Sequence, residues 1–214
     1  KKDFEKNKVE AILIENSILA ILTEDDGEFA SSYKVIYDFS VDVETKDIAK
    51  KVDITKDTFS IYVSGIDTYG AVSSVSRSDV NMVITVNPET NKILITSIPR
   101  DYYVPLAGKD GKDKLTHAGI YGVETSVKTI ENLLDTKINY YIKVNFTSLI
   151  KVVDALGGVK VYSKYNFTSM DGYTYKQGYN NVNGEKALSF VRERKAFNGG
   201  DRVRVENQAA MIKA

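Results

Sequence analysis

Six arginines stand against 23 lysines in this 214-residue chain, and their placement is uneven. None of Arg77, Arg100, Arg192, Arg194, Arg202 and Arg204 lies in the first 76 residues, and the last four fall within 13 residues of one another. A chain that uses lysine for most of its positive charge and gathers its arginines in this way suggests a site that needs the guanidinium fork. That fork meets phosphate or carboxylate oxygens two at a time, which an ammonium cannot do. The alternative is a set of ordinary solvated arginines.

Two aspartates fit the same chemistry. Asp67 closes the apolar run of residues 59–67, and Asp79 opens the run of residues 80–86. If the two runs are neighbouring strands, both carboxylates emerge on one rim. Two carboxylates completed by phosphate oxygens and water suit Mg²⁺, which seldom has an all-protein cage. Turn chemistry is the competing reason for aspartate at strand ends. Arg100 follows a third apolar run directly. Pro99 has a restricted φ and no amide donor, so the chain leaves the sheet with little freedom and Arg100 is aimed. A local pairing of Arg100 with Asp101 is the simpler alternative.

Spacing constrains the rest. Arg192 and Arg194 diverge by about 200° on a helix but share a face on extended chain. Both can therefore grip one diphosphate only if the helix beginning near Glu185 ends before Arg192. Asp201, Arg204 and Gln208 share one helical face, and Arg202 points elsewhere. Lys114 could add a compact charge to the rim, or be solvated. His117 is the only histidine. No nucleophile-elbow pattern accompanies it, and no P-loop is present, which disfavours serine hydrolysis and P-loop nucleotide chemistry.

Composition narrows the class. Lys plus Arg and Asp plus Glu both count 29, so the formal net charge is +0. A nucleic-acid binder would carry a basic footprint. The absence of cysteine excludes disulfides and thiolate metal sites. The longest apolar candidate for a span, residues 9–22, is interrupted by Glu10, Glu15 and Asn16, and a span needs about 20 mostly apolar residues.

The elements that must hold these residues follow from periodicity. Residues 1–50 read as strand, helix, strand, and the charged stretch 44–58 marks a boundary. Residues 59–67 form a strand. Runs 80–86 and 92–98, joined by NPETN, form a hairpin whose near-continuous apolar character predicts burial on both faces. An amphipathic helix covers 121–135, with Val123, Val127, Ile130, Leu133 and Leu134 on one stripe. A strand at 138–144 leads to a helix capped by Asn145, with Leu149, Ile150, Val153 and Leu156 inward and Gly157-Gly158 as its end. After a strand at 159–163, the Tyr-, Asn- and Gly-rich stretch 172–184 reads as a surface excursion. Two helices close the chain, and the last is open to continuation past residue 214. This order predicts an α/β chain: a three-layer α-β-α domain with a central mixed sheet over residues 58–214, behind a small α/β accessory domain over residues 1–57.

Seven motifs in order carry a resemblance. They are GID at 65–67, SRSD at 76–79, SIPRDYYV at 97–104 and DKLTHA at 113–118. VNFTSLIKVVDALGGV at 144–159, NGEKALSFVRERK at 183–195 and GDRVRVENQ at 200–208 complete the set. From about Phe59 to its end the chain resembles the LytR–CpsA–Psr family, and most closely its streptococcal CpsA-type capsule members. Some of these carry an accessory domain like the front segment.

The resemblance implies a membrane-anchored protein on the extracellular face of a Gram-positive cell membrane, its anchor a segment outside this chain. It implies binding of polyprenyl phosphate or diphosphate lipids, and Mg-assisted transfer of lipid-linked capsular polysaccharide or a related glycopolymer to peptidoglycan as a phosphodiester. Asp67 and Asp79 would hold Mg²⁺, or Mn²⁺ in its place. Arg77, Arg100, Lys114, Arg192, Arg194, Arg204 and Gln208 would surround the phosphates. Arg100 would matter most to the chemistry, and Asp67 or Asp101 would take the acceptor proton. Members often have Arg just before the final Gln. Asn207 stands there in this chain, so one phosphate contact is expected to be missing or supplied by Arg202. Hydrolysis of the lipid diphosphate by the same site, and a non-catalytic lipid-binding or regulatory module, are the alternative functions. Whether the helices enclose an apolar tunnel or a filled core is open.

Overall fold

The computed structural model describes residues 19, 33–36, 48–69, 72 and 76–214. The strand, helix and strand expected before residue 50 fall almost wholly outside these residues. Among the described residues, a four-stranded mixed sheet runs in the order β3-β2-β1-β6. Its members are β1 (Phe59–Ile66), β2 (Val80–Asn87), β3 (Lys92–Ser97) and β6 (Tyr140–Asn145). The β1–β2 and β2–β3 pairs are antiparallel, and β6 lies parallel to β1.

Period-two alternation divides the sheet into two faces. Tyr62 stands opposite Val83 and beside Tyr141. This face packs on the helix α2 (Val123–Leu134) through Val127 and Ile130, with Leu115 and Ala118 of the short α1 (Leu115–Ala118) completing the core. A 3₁₀ turn (Gly119–Tyr121) joins α1 to α2, and the ribbon of β4 (Tyr103–Pro105) and β5 (Lys112–Lys114) precedes them. On the opposite face, Val63 is paired with Met82 and Ile142. That face looks toward α3 (Phe146–Ala155), α4 (Gly184–Arg192) and α5 (Gly200–Ile212). The expected three layers are therefore present.

Local chemistry explains several boundaries. The Asn145 side chain accepts from the Ser148 amide at 2.8 Å, and the Ser148 hydroxyl accepts from the Asn145 amide at 2.7 Å, a reciprocal cap on α3. That helix stops at Gly157 and Gly158, both with positive φ (75° and 92°). Leu156 lies beyond its last turn and is exposed, so it is not one of the inward residues.

Two other expectations change. The apolar run 92–98 predicts burial on both faces, but β3 is the outer edge of the sheet, and Ile93 and Leu94 are exposed. The Tyr-rich stretch predicts a surface excursion, but it forms part of a second core. Here β10 (Gly178–Val182) pairs with β7 (Val159–Ser163), and β8 (Phe167–Thr168) pairs with β9 (Thr174–Tyr175). Tyr175 is 1% exposed, stacks on Phe167 at 4.7 Å and donates its hydroxyl to the Lys186 carbonyl at 2.6 Å. One large ring with a satisfied hydroxyl turns a loop-like composition into core.

Residues just ahead of β1 are tied to this domain. The Lys50 amide donates to the Asn139 carbonyl at 2.9 Å, Asn139 Nδ2 donates to the Lys50 carbonyl at 3.2 Å, and the Lys50 ammonium pairs with Glu131.

Candidate active site at the rim of the sheet

The two aspartates meet because β1 and β2 are neighbours and because Gly65 has no side chain. A Cβ on Gly65 would lie 2.8 Å from Val80 Cβ, so only glycine allows this approach. The Asp79 amide donates to the Gly65 carbonyl at 2.8 Å, and the Asp67 amide points at Asp79 Oδ2 at 3.4 Å. Beneath them lies a buried polar network that the motifs did not single out. The Tyr62 hydroxyl donates to Asn81 Oδ1 at 2.5 Å, Ser64 Oγ lies 2.5 Å from Ser78 Oγ, and Asn81 Nδ2 donates to the Ser78 carbonyl at 3.0 Å. Period-two alternation puts Tyr62 and Ser64 on one face, but the sequence does not reveal that Ser78 and Asn81 meet them.

Arg100 is aimed as Pro99 suggests. Its Nη1 donates to Asp79 Oδ1 at 2.7 Å, and its Nε lies 3.6 Å from Asp101 Oδ2. Both the rim pairing and the local turn pairing occur together. Lys114 reaches Asp101 at 3.7 Å, and Lys114, Arg100 and Asp79 all lie outside the cavity wall, which Asp67 alone joins from this group. Arg77 is exposed and also outside that wall.

The helices bring the remaining cations to the same place. α4 ends at Arg192, one residue later than the spacing condition asked, and Glu193 is extended with ψ 130°. That single extended residue is enough to turn both Arg192 and Arg194 toward the cavity. The Arg192 guanidinium also lies over the Phe146 ring at 4.5 Å. Asp201, Arg204 and Gln208 share a face of α5 as their spacing predicts. Arg204 pairs with Asp201 at 2.6 Å, and both Arg204 and Gln208 line the cavity. Arg204 is buried, and its Nε has no hydrogen-bond partner. A buried, unpaired guanidinium donor at a cavity wall fits an anionic ligand.

Behind this polar mouth lies a cavity of about 400 Å³. Val63, Met82, Val144, Leu149, Leu188 and Met211 supply its apolar wall. The question of a tunnel or a filled core is thus answered in favour of open space between the sheet and its helices.

Asp67 stands at the mouth, open to solvent on one side. Burial against the surrounding protein raises its pKa, and the neighbouring Asp79 carboxylate raises it further, while Arg204, Arg100 and Arg192 pull it back. These four charged neighbours therefore all act on Asp67. Among the described residues no group of three or more His, Cys, Asp or Glu forms a metal cage. The donor set is two adjacent carboxylates, one of which already carries Arg100. It fits a divalent cation that takes its other ligands from phosphate and water.

A model of the LytR_cpsA_psr family matches residues 29–214. The chain belongs to the LytR–CpsA–Psr family. It is 40% identical over 165 residues to TagU of Bacillus subtilis, named a polyisoprenyl-teichoic acid–peptidoglycan teichoic acid transferase, covering 76% of this chain and 53% of that protein. The crystal structure of B. subtilis TagV matches with a TM-score of 0.66 at 34% identity, over 75% of this chain and 64% of that one. A LytR-CPS2A-psr family protein, YwtF (TagT), with bound octaprenyl pyrophosphate lipid matches with a TM-score of 0.59 at 35% identity, over 76% and 67%. The chain spans about half the length of the curated relatives it matches.

Within this LytR–CpsA–Psr domain the departure at Asn207 has a structural reading. Asn207 is buried, and its Nδ2 donates to the Phe190 carbonyl at 3.2 Å, so it braces α5 on α4. Arg202 does not replace a phosphate contact: its side chain is 87% exposed and pairs with Glu206 at 3.7 Å. His117 is buried and bonds to Asp113 at 2.9 Å, away from the cavity wall. Met170, Asp171, Glu193 and Lys195 border the cavity without having been singled out from the sequence. Glu193 and Lys195 fall inside the motif at 183–195 and Met170 and Asp171 in a loop, but neither residue type nor spacing marked any of them as a wall residue.

Proposed function

We propose that this chain binds a polyprenyl diphosphate-linked glycopolymer and transfers it to a sugar hydroxyl of peptidoglycan, forming a phosphodiester. The observation that carries this reading is the mouth of the cavity, where Asp67, Arg192, Arg194, Arg204 and Gln208 converge over an apolar wall. An amphiphile with a doubly charged head and an oily tail matches both parts.

The acceptor oxygen attacks the phosphorus that carries the polymer. The bond from that phosphorus to the bridging oxygen breaks, and polyprenyl phosphate leaves. The acceptor proton passes to Asp67, the carboxylate that faces the cavity mouth, while Asp79 is already held by Arg100. Asp101 is exposed and already lies between Arg100 and Lys114, which makes it the poorer base. Arg192, Arg194 and Arg204 bind the head group, and Arg100 meets the charge that builds at the reacting phosphate. Such preorganised donors are the main source of rate in phosphoryl transfer. Asp67 and Asp79 would hold Mg²⁺, or Mn²⁺ in its place, which would add charge neutralisation at the diphosphate. Arg77 and Lys114 act from outside the cavity wall, as sources of field rather than contacts.

The polymer is a capsular polysaccharide or a related wall glycopolymer; the names of the relatives support the wall-polymer class. A peptidoglycan acceptor puts the reaction on the extracellular face of the cell membrane, with any anchor outside the described residues. Among these, no helix is long and apolar enough to cross a membrane.

The test is incubation with radiolabelled lipid-linked oligosaccharide and peptidoglycan. Label is expected in the peptidoglycan with wild type and not with Arg100→Ala. Phosphate release without a conjugate would replace transfer with hydrolysis. Lipid binding with neither product would leave a binding module.

A further inference from the structure

Glu193 lies between Arg192 and Arg194, two exposed residues at the cavity mouth, yet it is itself only 4% exposed. A glutamate flanked by arginines would ordinarily pair with one of them. Its oxygens are taken instead by backbone amides. Oε1 accepts from the Ala196 amide at 2.9 Å, and Oε2 accepts from the Met170 amide at 2.7 Å. The first bond closes the turn that follows α4. The second crosses to a different segment, the loop after β8, whose Met170 and Asp171 border the same cavity.

The loop has a hydrogen bond to α4 as well, beside the Lys186 ammonium that lies 6.0 Å over the Tyr173 ring. Ser189 Oγ donates to Ser169 Oγ at 2.7 Å, and the Gly172 amide donates to the Ser169 carbonyl at 2.9 Å. Thus two hydrogen bonds, Ser169–Ser189 and Met170–Glu193, join α4 and the arginine turn to the rim loop. Burial alone would push the Glu193 carboxyl up. The amides of Ala196, Met170, Lys195 and Arg194 outweigh that and hold it below the usual glutamate range. An apolar side chain could fill this space without the desolvation cost. What it could not do is accept from two segments at once.

We propose that Glu193 is a positioning residue: its carboxylate locks the turn carrying Arg192 and Arg194 to the Met170–Asp171 loop, so that the diphosphate subsite is formed before ligand arrives. This inference rests on the lipid-diphosphate reading above. Preorganised donors bind more tightly because less ordering is left to be done on association.

Glu193→Gln keeps the size but turns one acceptor into a donor that faces an amide donor. The probes are geranylgeranyl diphosphate and geranylgeraniol, titrated well below the melting temperature of each variant, with hydrogen exchange of the Met170 amide followed in parallel. Loss of one charge-assisted bond predicts diphosphate affinity about tenfold weaker. Affinity for the alcohol is expected to be unchanged, and Met170 exchange faster. If wild type binds the diphosphate and Glu193→Gln binds it equally well, the positioning role is wrong while the functional reading stands. If both probes weaken equally, Glu193 serves only general stability, and the inference is again overturned. If wild type does not bind the diphosphate, the functional reading falls and takes this inference with it. Should Glu193→Gln not fold, Ser189→Ala cuts the second tie. It is expected to show the same selective loss, and wild-type selectivity there would overturn the proposal.

Discussion

Nη1 of Arg100 lies 2.7 Å from Oδ1 of Asp79, joining the exit of β3 to the entry of β2. The contact fixes both partners at the rim: the guanidinium is held in place while part of its fork stays available. Its side chain is 37% exposed, against 14% for Asp79. Arg100→Lys keeps the charge but not the planar fork. Conjugation is expected to fall about 100-fold in this variant, the size of losing one preorganised donor. Circular dichroism melting checks the fold, and a loss of stability greater than about 3 kcal/mol would mean that the defect is structural instead.

Asp67 should make the protein less stable as pH rises. Its pKa is raised in the folded state by burial and by Asp79. Below the ordinary aspartate range, near ~3.9, both folded and unfolded chains are protonated and nothing is lost. As pH climbs through the raised folded value, the unfolded chain gives up the proton more readily, and stability falls. Asp67→Asn removes this loss. Melting curves across pH 3–8 are expected to show Asp67→Asn more stable than wild type near pH 7, with the gap closing toward about pH 3–4. The same variant is expected to be inactive. A constant gap at all pH values would contradict the assignment.

Arg204 offers a buried Nε with no protein partner, and its pairing with the exposed Asp201 leaves that donor unused. Arg204→Ala is expected to weaken binding of a prenyl diphosphate about 100-fold, in line with losing one or two charge-assisted bonds. Thermal shift gives the same answer another way. At a ligand concentration 100 times the wild-type Kd, wild type gains about 2.7 kcal/mol, and the variant should gain little. An equal shift in both proteins would remove Arg204 from the site.

Val63 faces the cavity from the middle of β1. Val63→Phe should fill part of the open space. Affinity for a long prenyl diphosphate is then expected to drop at least about tenfold, while inorganic pyrophosphate binds as in wild type. The melting temperature should hold or rise, because the added ring takes up a void. A collapse in stability by about 1–3 kcal/mol would mean the space is too tight for a ring and is not a ligand channel.

Elements with strong local signals were legible. Asn145 with Ser148, and Gly157 with Gly158, mark the ends of α3 by hydrogen bonding and backbone sterics, which act within a few residues. The two apolar runs and the NPETN turn predicted the hairpin of β2 and β3, whereas the meeting of Asp67 with Asp79 hung on β1 lying beside β2, which the fold supplies. The same reasoning failed at β3, because an apolar run does not reveal whether a strand is central or at an edge. It failed at Tyr175, because a Tyr- and Gly-rich composition is shared by surface loops and by aromatic cores.

The chain's own order of residues determined which chemical groups are present and how each is mounted. It carries arginine forks at strand and helix ends, two carboxylates beside short turns and no cysteine, and these follow from residue type and short-range spacing. Only the tertiary structure decided that Arg100, Arg192 and Arg204 act on Asp67 together, that Arg100, Arg77 and Lys114 stand outside the wall, and that the space beneath is open. Those outcomes depend on how separate layers pack. Packing is set by volume and distance between residues far apart in the chain, which no local pattern encodes.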